Sequence, residues 1–599
     1  MSEIDAIKSG LESTQGAAGP NGHAVSEDQQ KTRDSVAPRT KQEPAPRAPS
    51  HDDVVRSEPF HSQDHHVDEA HVETAAPETS PPRDAAPLAT ELELKLLVDA
   101  NRLADFSAAP IIAANARNKG VRKHLKAVYY DTHKRALQRN GLSFRVRQSG
   151  ARFTQTVKAE FGNDPLRRGE WEASVPSTAP DIALALPFIP DKLRSDLERH
   201  PLEAVFTTDI HRHQRIVDLP SGTVEVAFDQ GFLKSGDRSM PVGEIELELK
   251  SGSPSAIYEL ALRLAEHGSV RPSIHSKSAR GFDLAADASP AAKRPRKLRL
   301  ASSASLDEAF AAILRACLHH LLESFPAAED GRDPEGIHQL RVALRRLRSA
   351  LDLMRSVIST SKLDMLRSEA KWLAQNLSAA REWDVFQQDT LRVVAQGCPS
   401  IAGFDALDGA VEQRRTACYD NVRLVLAERR TACFVIGLGG WIEARGWRSD
   451  VAPEHLAQLA EPAMNFARSI LSAQQAKVLK RGRRFKSLTA EQLHRLRLSV
   501  KKLRYVADFL LPLYGQRKCA RRFSDRLADL QRELGTYNDM ATTAAVLADI
   551  GTESSGSSAA IAAIAGWQAH AMVGVGPRLR KTWSGFVKTK APWSIEAEA

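Results

Sequence analysis

Between Thr90 and about Leu284 the chain alternates charged and apolar residues with period two, and this limits the fold more than any other feature. Strand side chains point to opposite faces in turn, so each such segment has one charged and one apolar face. Glu91, Glu93 and Lys95 oppose Leu92, Leu94 and Leu96; Arg145 and Arg147 oppose Phe144 and Val146; Thr154, Thr156 and Lys158 oppose Phe153 and Val157. Ser149-Gly150 reads as the turn between the second and third of these. Arg168, Glu170 and Glu172 then oppose Trp171 and Ala173, and Glu225 and Asp229 oppose Val224, Val226 and Phe228. Last, Glu244, Glu246, Glu248 and Lys250 alternate with Ile245, Leu247 and Leu249.

An open antiparallel sheet with its charged faces in water is the simplest account of such a pattern. Two features weigh against it: acids and bases are comparably frequent on the same faces, and helical segments such as residues 255–267 are at hand to cover the apolar side. Closed on itself with the charged face inward, the sheet would be a tunnel that holds an anion and its metal ions together. Charges buried in this way need partners, which implies a divalent metal and a highly anionic ligand.

Mg²⁺ and Mn²⁺ prefer oxygen ligands, so Glu91, Glu93, Glu172, Glu246 and Glu248, with Asp229 on the same set of faces, are the candidate metal ligands. Phosphoryl transfer leaves little covalent work to a protein; cations that clamp phosphates supply most of the catalysis. Arg145, Arg147, Lys158 and Arg212 suit that task, with Arg212 preferred to Arg215 as the inward residue. A metal-bound water positioned by a carboxylate would be the nucleophile, so no Ser, Cys or His is required.

At these residues the chain resembles the CYTH, or triphosphate tunnel metalloenzyme, family over roughly residues 88–285. Glu91, Glu93 and Lys95 match its ExExK signature; YYDT from Tyr129, FRVR with Arg145 and Arg147, TVK ending in Lys158, RGEWE from Arg168, EIELELK, and HSKSARGF with Lys277 follow in the family's order. The resemblance implies an eight-stranded antiparallel barrel, a requirement for Mg²⁺ or Mn²⁺, and a substrate bearing a triphosphate: inorganic triphosphate, thiamine triphosphate, an RNA 5′ end or ATP. It adds Arg168 and Lys277 to the substrate-binding set, and we take Glu93, Lys95, Lys158 and Glu248 as the catalytic group. Inorganic triphosphatase is the leading reading. A class IV-like adenylate cyclase and a non-catalytic polyphosphate-binding protein are the alternatives.

From Ser305 onward the period changes to 3.6, and a repeat appears: HQLRVALRRLR from His338 returns as HRLRLSVKKLR from His494, 156 residues later. On a helix His338, Arg341, Arg345 and Arg348 form one basic stripe beside Leu340, Leu344, Leu347 and Leu351. His494, Arg497, Lys501 and Arg504 form its copy beside Leu496, Val500, Leu503 and Ala507, while Arg346 and Lys502 fall off the stripes and are expected in solvent. LSAAREWDVF from Leu377 likewise returns as LGTYNDMATT, so Arg381 and Glu382 answer to Asn538 and Asp539. These motifs resemble the CHAD family over roughly residues 301–590, with Glu382 where that family more often has Asp. That resemblance implies inorganic polyphosphate bound by the basic residues of both stripes. The stripes lack interleaved aromatics and any groove-reading motif, which disfavours sequence-specific nucleic-acid binding.

The expected architecture is therefore multidomain α+β: a disordered tail (1–88), a β-tunnel with flanking helices (89–286), a basic linker (287–303) read as solvated, and an all-helical repeat bundle (304–590). The tail is rich in Pro, Ser, His and acids, with Phe60 its one aromatic, too little apolar surface to offset chain entropy. The net charge of +9 favours an anionic partner. Cys317, Cys398, Cys418, Cys433 and Cys519 form no CxxC pair, which argues against a disulfide framework or zinc site. The start has no secretory pattern, and the apolar run from Ala432 to Ile442 is short and glycine-containing, so a buried helix is expected there rather than a membrane span. The expected location is the cytoplasm, with polyphosphate granules as a place of association.

Overall fold

The computed structural model describes residues 89–160, 167–449, 451–515, 518–551 and 556–594. The expected disordered tail lies outside them. The alternating segments form nine strands: β1 (Ala89–Leu97), β2 (Val121–Thr132), β3 (Leu142–Ser149), β4 (Arg152–Glu160), β5 (Arg167–Val175), β6 (Leu202–Leu219), β7 (Gly222–Ser235), β8 (Arg238–Gly252) and β9 (Arg271–Ser273). All pairings are antiparallel, and β1 pairs with both β8 and β5, so eight strands close a ring in the order β1-β5-β4-β3-β2-β6-β7-β8. The short β9 adds to β1 beside the ring, which makes nine strands where eight were expected. Closure leaves the ring without an unpaired edge.

The apolar faces point outward and are covered. Helix α1 (Ser255–His267) lays Ile257, Leu260, Ala261 and Leu264, all fully buried, into the same core as Leu94, Leu96, Val224, Val226, Ile245 and Leu247. Each buried Ile, Leu or Val side chain among them contributes about 1.5–3 kcal/mol relative to an exposed one. The second helix, α2 (Lys277–Ala286), is capped by the Ser276 hydroxyl, which accepts from the Ala279 amide.

The second region is all-helical among the described residues, and the helices that bear on the argument are α3 (Leu306–Asp330), α4 (Pro334–Met354), α5 (Ser378–Val385), α6 (Arg429–Glu443), α7 (Ala463–Arg481), α8 (Ala490–Leu510) and α9 (Lys518–Gly551). The repeat is visible in them: α4 and α8 are each 21 residues long. Asp333 caps α4 through the Glu335 amide, and Thr489 with Gln492 forms a capping box on α8. The run expected as a buried helix is α6, with Phe434, Leu438, Trp441 and Ile442 buried.

Barrel and helices share one continuous core within one compact unit. Tyr258 of α1 lies so close to α6 that a Cβ on Gly439 would stand 2.2 Å from its ring, and Arg271 of β9 donates to both Glu329 oxygens of α3 at 2.9 Å. Two expectations are corrected. The linker is not simply solvated: Leu298 is buried in the shared core and Arg296 pairs with Glu323 at 3.1 Å. Arg346 is not in solvent but buried between α4 and α8, its guanidinium 5.3 Å from the Phe509 ring centre. The stripe geometry treats α4 as having one packed face, whereas α8 packs against a second one; Lys502 is exposed as expected.

Candidate functional site

Register determines which charges meet inside the ring. Glu93 lies opposite Glu248 and Lys95 opposite Glu246 across β1 and β8. Lys95 Nζ stands 2.5 Å from Glu93 and 2.8 Å from Glu246, nearly sealed from solvent. On the next walls Arg212 grips both oxygens of buried Asp229 at 2.6 and 2.7 Å and reaches Glu246 at 2.5 Å. Across the tunnel Lys158 pairs with Glu170 at 2.9 Å, Arg145 with Glu170 at 3.5 Å, and Arg147 with Glu172 at 3.3 Å. The Thr156 hydroxyl also donates to Glu172, at 2.9 Å. Of these, Glu93, Lys95, Arg145, Arg147, Lys158, Glu170, Glu172, Arg212, Glu246 and Glu248 line one cavity of about 1110 Å³, with Asp229 and Thr156 behind its wall. An open sheet with water on its charged face does not describe this interior: Glu244 and Asp229 have no solvent exposure at all.

Helix α2 delivers the remaining cations. Its first residue, Lys277, reaches Asp229 at 2.7 Å, Glu246 at 3.0 Å, and Glu244, which also pairs with Arg280 one turn on. The helix can press so close to β6 because residue 281 is glycine; a Cβ there would stand 2.1 Å from the Phe206 ring. Lys277, expected to face phosphate, thus sits within a carboxylate cluster, and Asp229, expected on metal, is engaged by Arg212 and Lys277.

The electrostatics follow from this crowding. Burial alone would raise Glu246, but Lys277, Lys95 and Arg212 outweigh it and hold the carboxyl well below its ordinary range. Burial likewise opposes ionised Asp229, yet Lys277 and Arg212 keep it low. Glu248 is different: burial raises it, Lys250 offsets only part of this, and Glu225 and Glu93 add repulsion. The Lys277 ammonium is held up by Asp229, Glu244 and Glu246 against the cost of burial. Arg147 is lowered by Arg145 beside it and by burial. Excess positive charge on that wall is what an anion would relieve.

Asp229, Glu244 and Glu246 each offer an oxygen, all within 4.8 Å of one another. Such a hard oxygen set fits Mg²⁺ or Mn²⁺. Glu244 and Arg280 were missed as site residues, although Glu244 stands in the same alternation as Glu246 and Arg280 lies one turn after Lys277. Glu170, Arg152, Lys123, Lys250 and Glu225 also line the cavity. The side chains of Glu91 and Arg168 lie outside the described residues.

In the helical region α4 and α8 pack together, and Arg345 of one stripe and Arg504 of the other both act on the Tyr505 ring. Arg345 of α4 lies 6.0 Å from the ring centre of Tyr505 on α8, and Arg341 donates to the Ala374 carbonyl at 2.7 Å. Burial lowers Arg341, with Arg345 and Arg381 of α5 adding repulsion and Glu382 opposing them. Arg348 and His494 are exposed, while His338, Arg497, Lys501 and Arg504 are half-buried. Tyr505 and Phe509, the rings of α8 that face arginines of α4, are both buried and present no stacking platform. Asn538 and Asp539 lie outside the described side chains.

Comparison with known proteins agrees with this division. Residues 89–282 match the CYTH domain family and residues 312–548 the CHAD domain family. An inorganic triphosphatase of Haemophilus influenzae is 30% identical over 161 residues, a match that spans 26% of this chain and 44% of that relative. Among solved structures, the CHAD domain from the plant Ricinus communis is 30% identical, covering 50% of this chain and 98% of that one with a TM-score of 0.44. A Hippeastrum protein, described as a candidate adenylyl cyclase with a dominant triphosphatase activity, is 18% identical and covers 32% and 94%, with a TM-score of 0.23.

Proposed function

We propose, for a chain that carries a CYTH domain followed by a CHAD domain, that the barrel hydrolyses inorganic triphosphate to pyrophosphate and phosphate and that the helices bind polyphosphate. The observation that carries this is the closed barrel with carboxylates and Lys/Arg interleaved inside it. A pure anion binder gains nothing from Glu93, Glu246 and Glu248 facing its ligand, whereas a metal-dependent phosphoanhydride hydrolase needs both charges.

Glu93, Glu246 and Glu248, with Glu91, Glu172 and Asp229, are the groups available to hold Mg²⁺ or Mn²⁺; once bound, the ion neutralises phosphate charge and lowers the pKa of water. Arg145, Arg147, Lys158 and Arg212, with Arg168 and Lys277, grip the phosphates. Exchanging a carboxylate partner for a phosphate oxygen would keep each cation paired, and the carboxylates so released would be the groups left to hold the metal ion. Lys95 holds Glu93 and Glu246 in register. Glu248, the carboxyl raised by burial, is the group suited to accept a proton from the attacking water. On the helices His338, Arg341, Arg345 and Arg348, with His494, Arg497, Lys501 and Arg504, form the polyphosphate surface.

The test is release of phosphate and pyrophosphate from inorganic triphosphate by the folded full chain with Mg²⁺ or Mn²⁺. Absence of turnover would overturn the assignment, and cyclic AMP with pyrophosphate from ATP would replace it by cyclisation. No single helix among the described residues is long and apolar enough to cross a membrane, in keeping with a proposed cytoplasmic site of action.

A further inference from the structure

The outer surface of the barrel carries a cluster that the tunnel chemistry does not use. Lys123, Leu125 and Tyr129 of β2 and Arg212 and Gln214 of β6 line the tunnel, so His124, His211 and Asp209 point the other way. His124 lies directly opposite His211 in the antiparallel register, and Asp209 is two residues before His211 on the same face. The His124 and His211 rings stack at 4.3 Å between centroids with 8° between planes, and His124 Nε2 is 2.6 Å from Asp209 Oδ1. One ligand atom from each of the three lies within 4.8 Å of the other two.

We infer that His124, His211 and Asp209 form a second metal site, separate from the tunnel, for a late first-row divalent cation such as Zn²⁺. Ligand atoms bound to one zinc at 2.0–2.1 Å lie roughly 3.3 Å apart, so the set is completed by side-chain rotation that turns the stacked rings out of parallel until their in-plane lone pairs converge. Both β6 ligands sit where β6 is held between β2 and β7, from Thr207 to Gln214, so the backbone that carries them is fixed. A plain surface ion pair accounts for His124 and Asp209 alone, and such pairs contribute about 0–1 kcal/mol. It gives no use to the second imidazole, which would repel the first if both carried protons; a bound cation uses both neutral rings and the carboxylate. Lys126, across from Asp209, opposes a cation and tempers the affinity. Imidazole nitrogens select zinc, copper, nickel or cobalt, whereas the tunnel's carboxylates select magnesium or manganese. One chain then holds two metal sites of opposite preference, and the outer one, with three protein ligands, leaves a position open to water.

The experiment is calorimetric titration of Zn²⁺ into the metal-stripped full chain in excess Mg²⁺, with Co²⁺ absorbance as a second readout. Wild type should bind one more equivalent than His211→Ala and than His124→Asn, which can still donate to Asp209. Each variant should weaken that equivalent at least tenfold, while Glu246→Gln in the tunnel retains it. The histidines at positions 51, 61, 65, 66 and 71 are present in wild type and variants alike and cancel in the difference. Unchanged zinc stoichiometry and affinity in both folded histidine variants overturns the site, whatever the triphosphatase assay gives.

Discussion

The tunnel and the helical stripes are both lined with arginine and lysine, yet the partners seen for Arg341 and Arg345 differ from those of the tunnel cations. Inside the barrel Lys95, Arg145, Arg147, Lys158, Arg212 and Lys277 each meet a carboxylate within 3.5 Å. On the helices Arg341 meets a backbone carbonyl and Arg345 an aromatic ring. A cavity with interleaved signs accepts an anion well only together with cations that take over its carboxylates, which makes it selective for a metal–phosphate pair. An open basic surface accepts any polyanion of suitable spacing, and by counterion release its affinity falls as salt rises.

The largest expected effect tests the tunnel side of this contrast. Glu246→Gln and Glu93→Ala should each lower kcat on triphosphate by roughly 10²–10³, in the range seen when one preorganised charge is removed from an active site. Retention on immobilised polyphosphate should be unchanged in both. A proportional loss of both properties would mean that the two regions do not act separately.

Next is the apolar side of the same strand. Leu94 is 2% exposed, and Leu94→Ala should cost about 2–5 kcal/mol in denaturant unfolding. Turnover per folded molecule should stay near wild type, the reverse of Glu93→Ala. Because barrel and helices share a core, the loss should appear in the helical signal as well.

A buried histidine sharpens the comparison through pH. Burial, aided by the Arg346 charge, pushes His320 from 6.5 down to about 4. The unfolded chain therefore binds this proton more readily than the folded one, so the stability is fully present above pH 6.5 and is lost as pH falls toward 4. The magnitude is roughly 3 kcal/mol. His320→Gln should flatten the dependence of melting temperature on pH across this window; an unchanged slope would assign the acid loss to other groups.

The smallest effects belong to the stripes. Replacing Arg341, Arg345, Arg497 and Lys501 by glutamine should reduce the salt slope of polyphosphate binding by about 1 for each phosphate that is no longer neutralised. Lys502→Glu with Arg495→Glu, both exposed and off the stripes, should change it much less. Equal weakening in the two sets, with intact circular dichroism, would reduce the stripes to diffuse net charge. Arg346 cannot serve as that control, because a glutamate there would be buried against Phe509.

Much of the barrel was legible in one dimension because period-two alternation is a local property. Glu93, Glu246 and Glu248 had to share a face with their own strand neighbours whatever the rest of the chain did. The helical repeat was legible for the same reason: α4 and α8 carry the same pattern at the same spacing. Local pattern could not say which charges would meet across strands, since that depends on register and closure. Lys277 and Arg280 enter the carboxylate cluster only because α2 folds back over the ring against β6, and Asp229 is paired with Arg212 only because β6 and β7 align those positions.

The sequence by itself determined the two periodicities, the order of the charged strands, the repeat, and the residue types available to metal and phosphate. Tertiary structure decided the closure of the sheet by β1 against β5, the shared core that binds barrel to helices, and the burial of Arg346, Leu298 and Tyr505. The physical reason is that a side chain's face within its own element follows from fixed backbone geometry. Its partners and burial depend instead on where distant elements pack, and those are set by contacts between residues far apart in the chain.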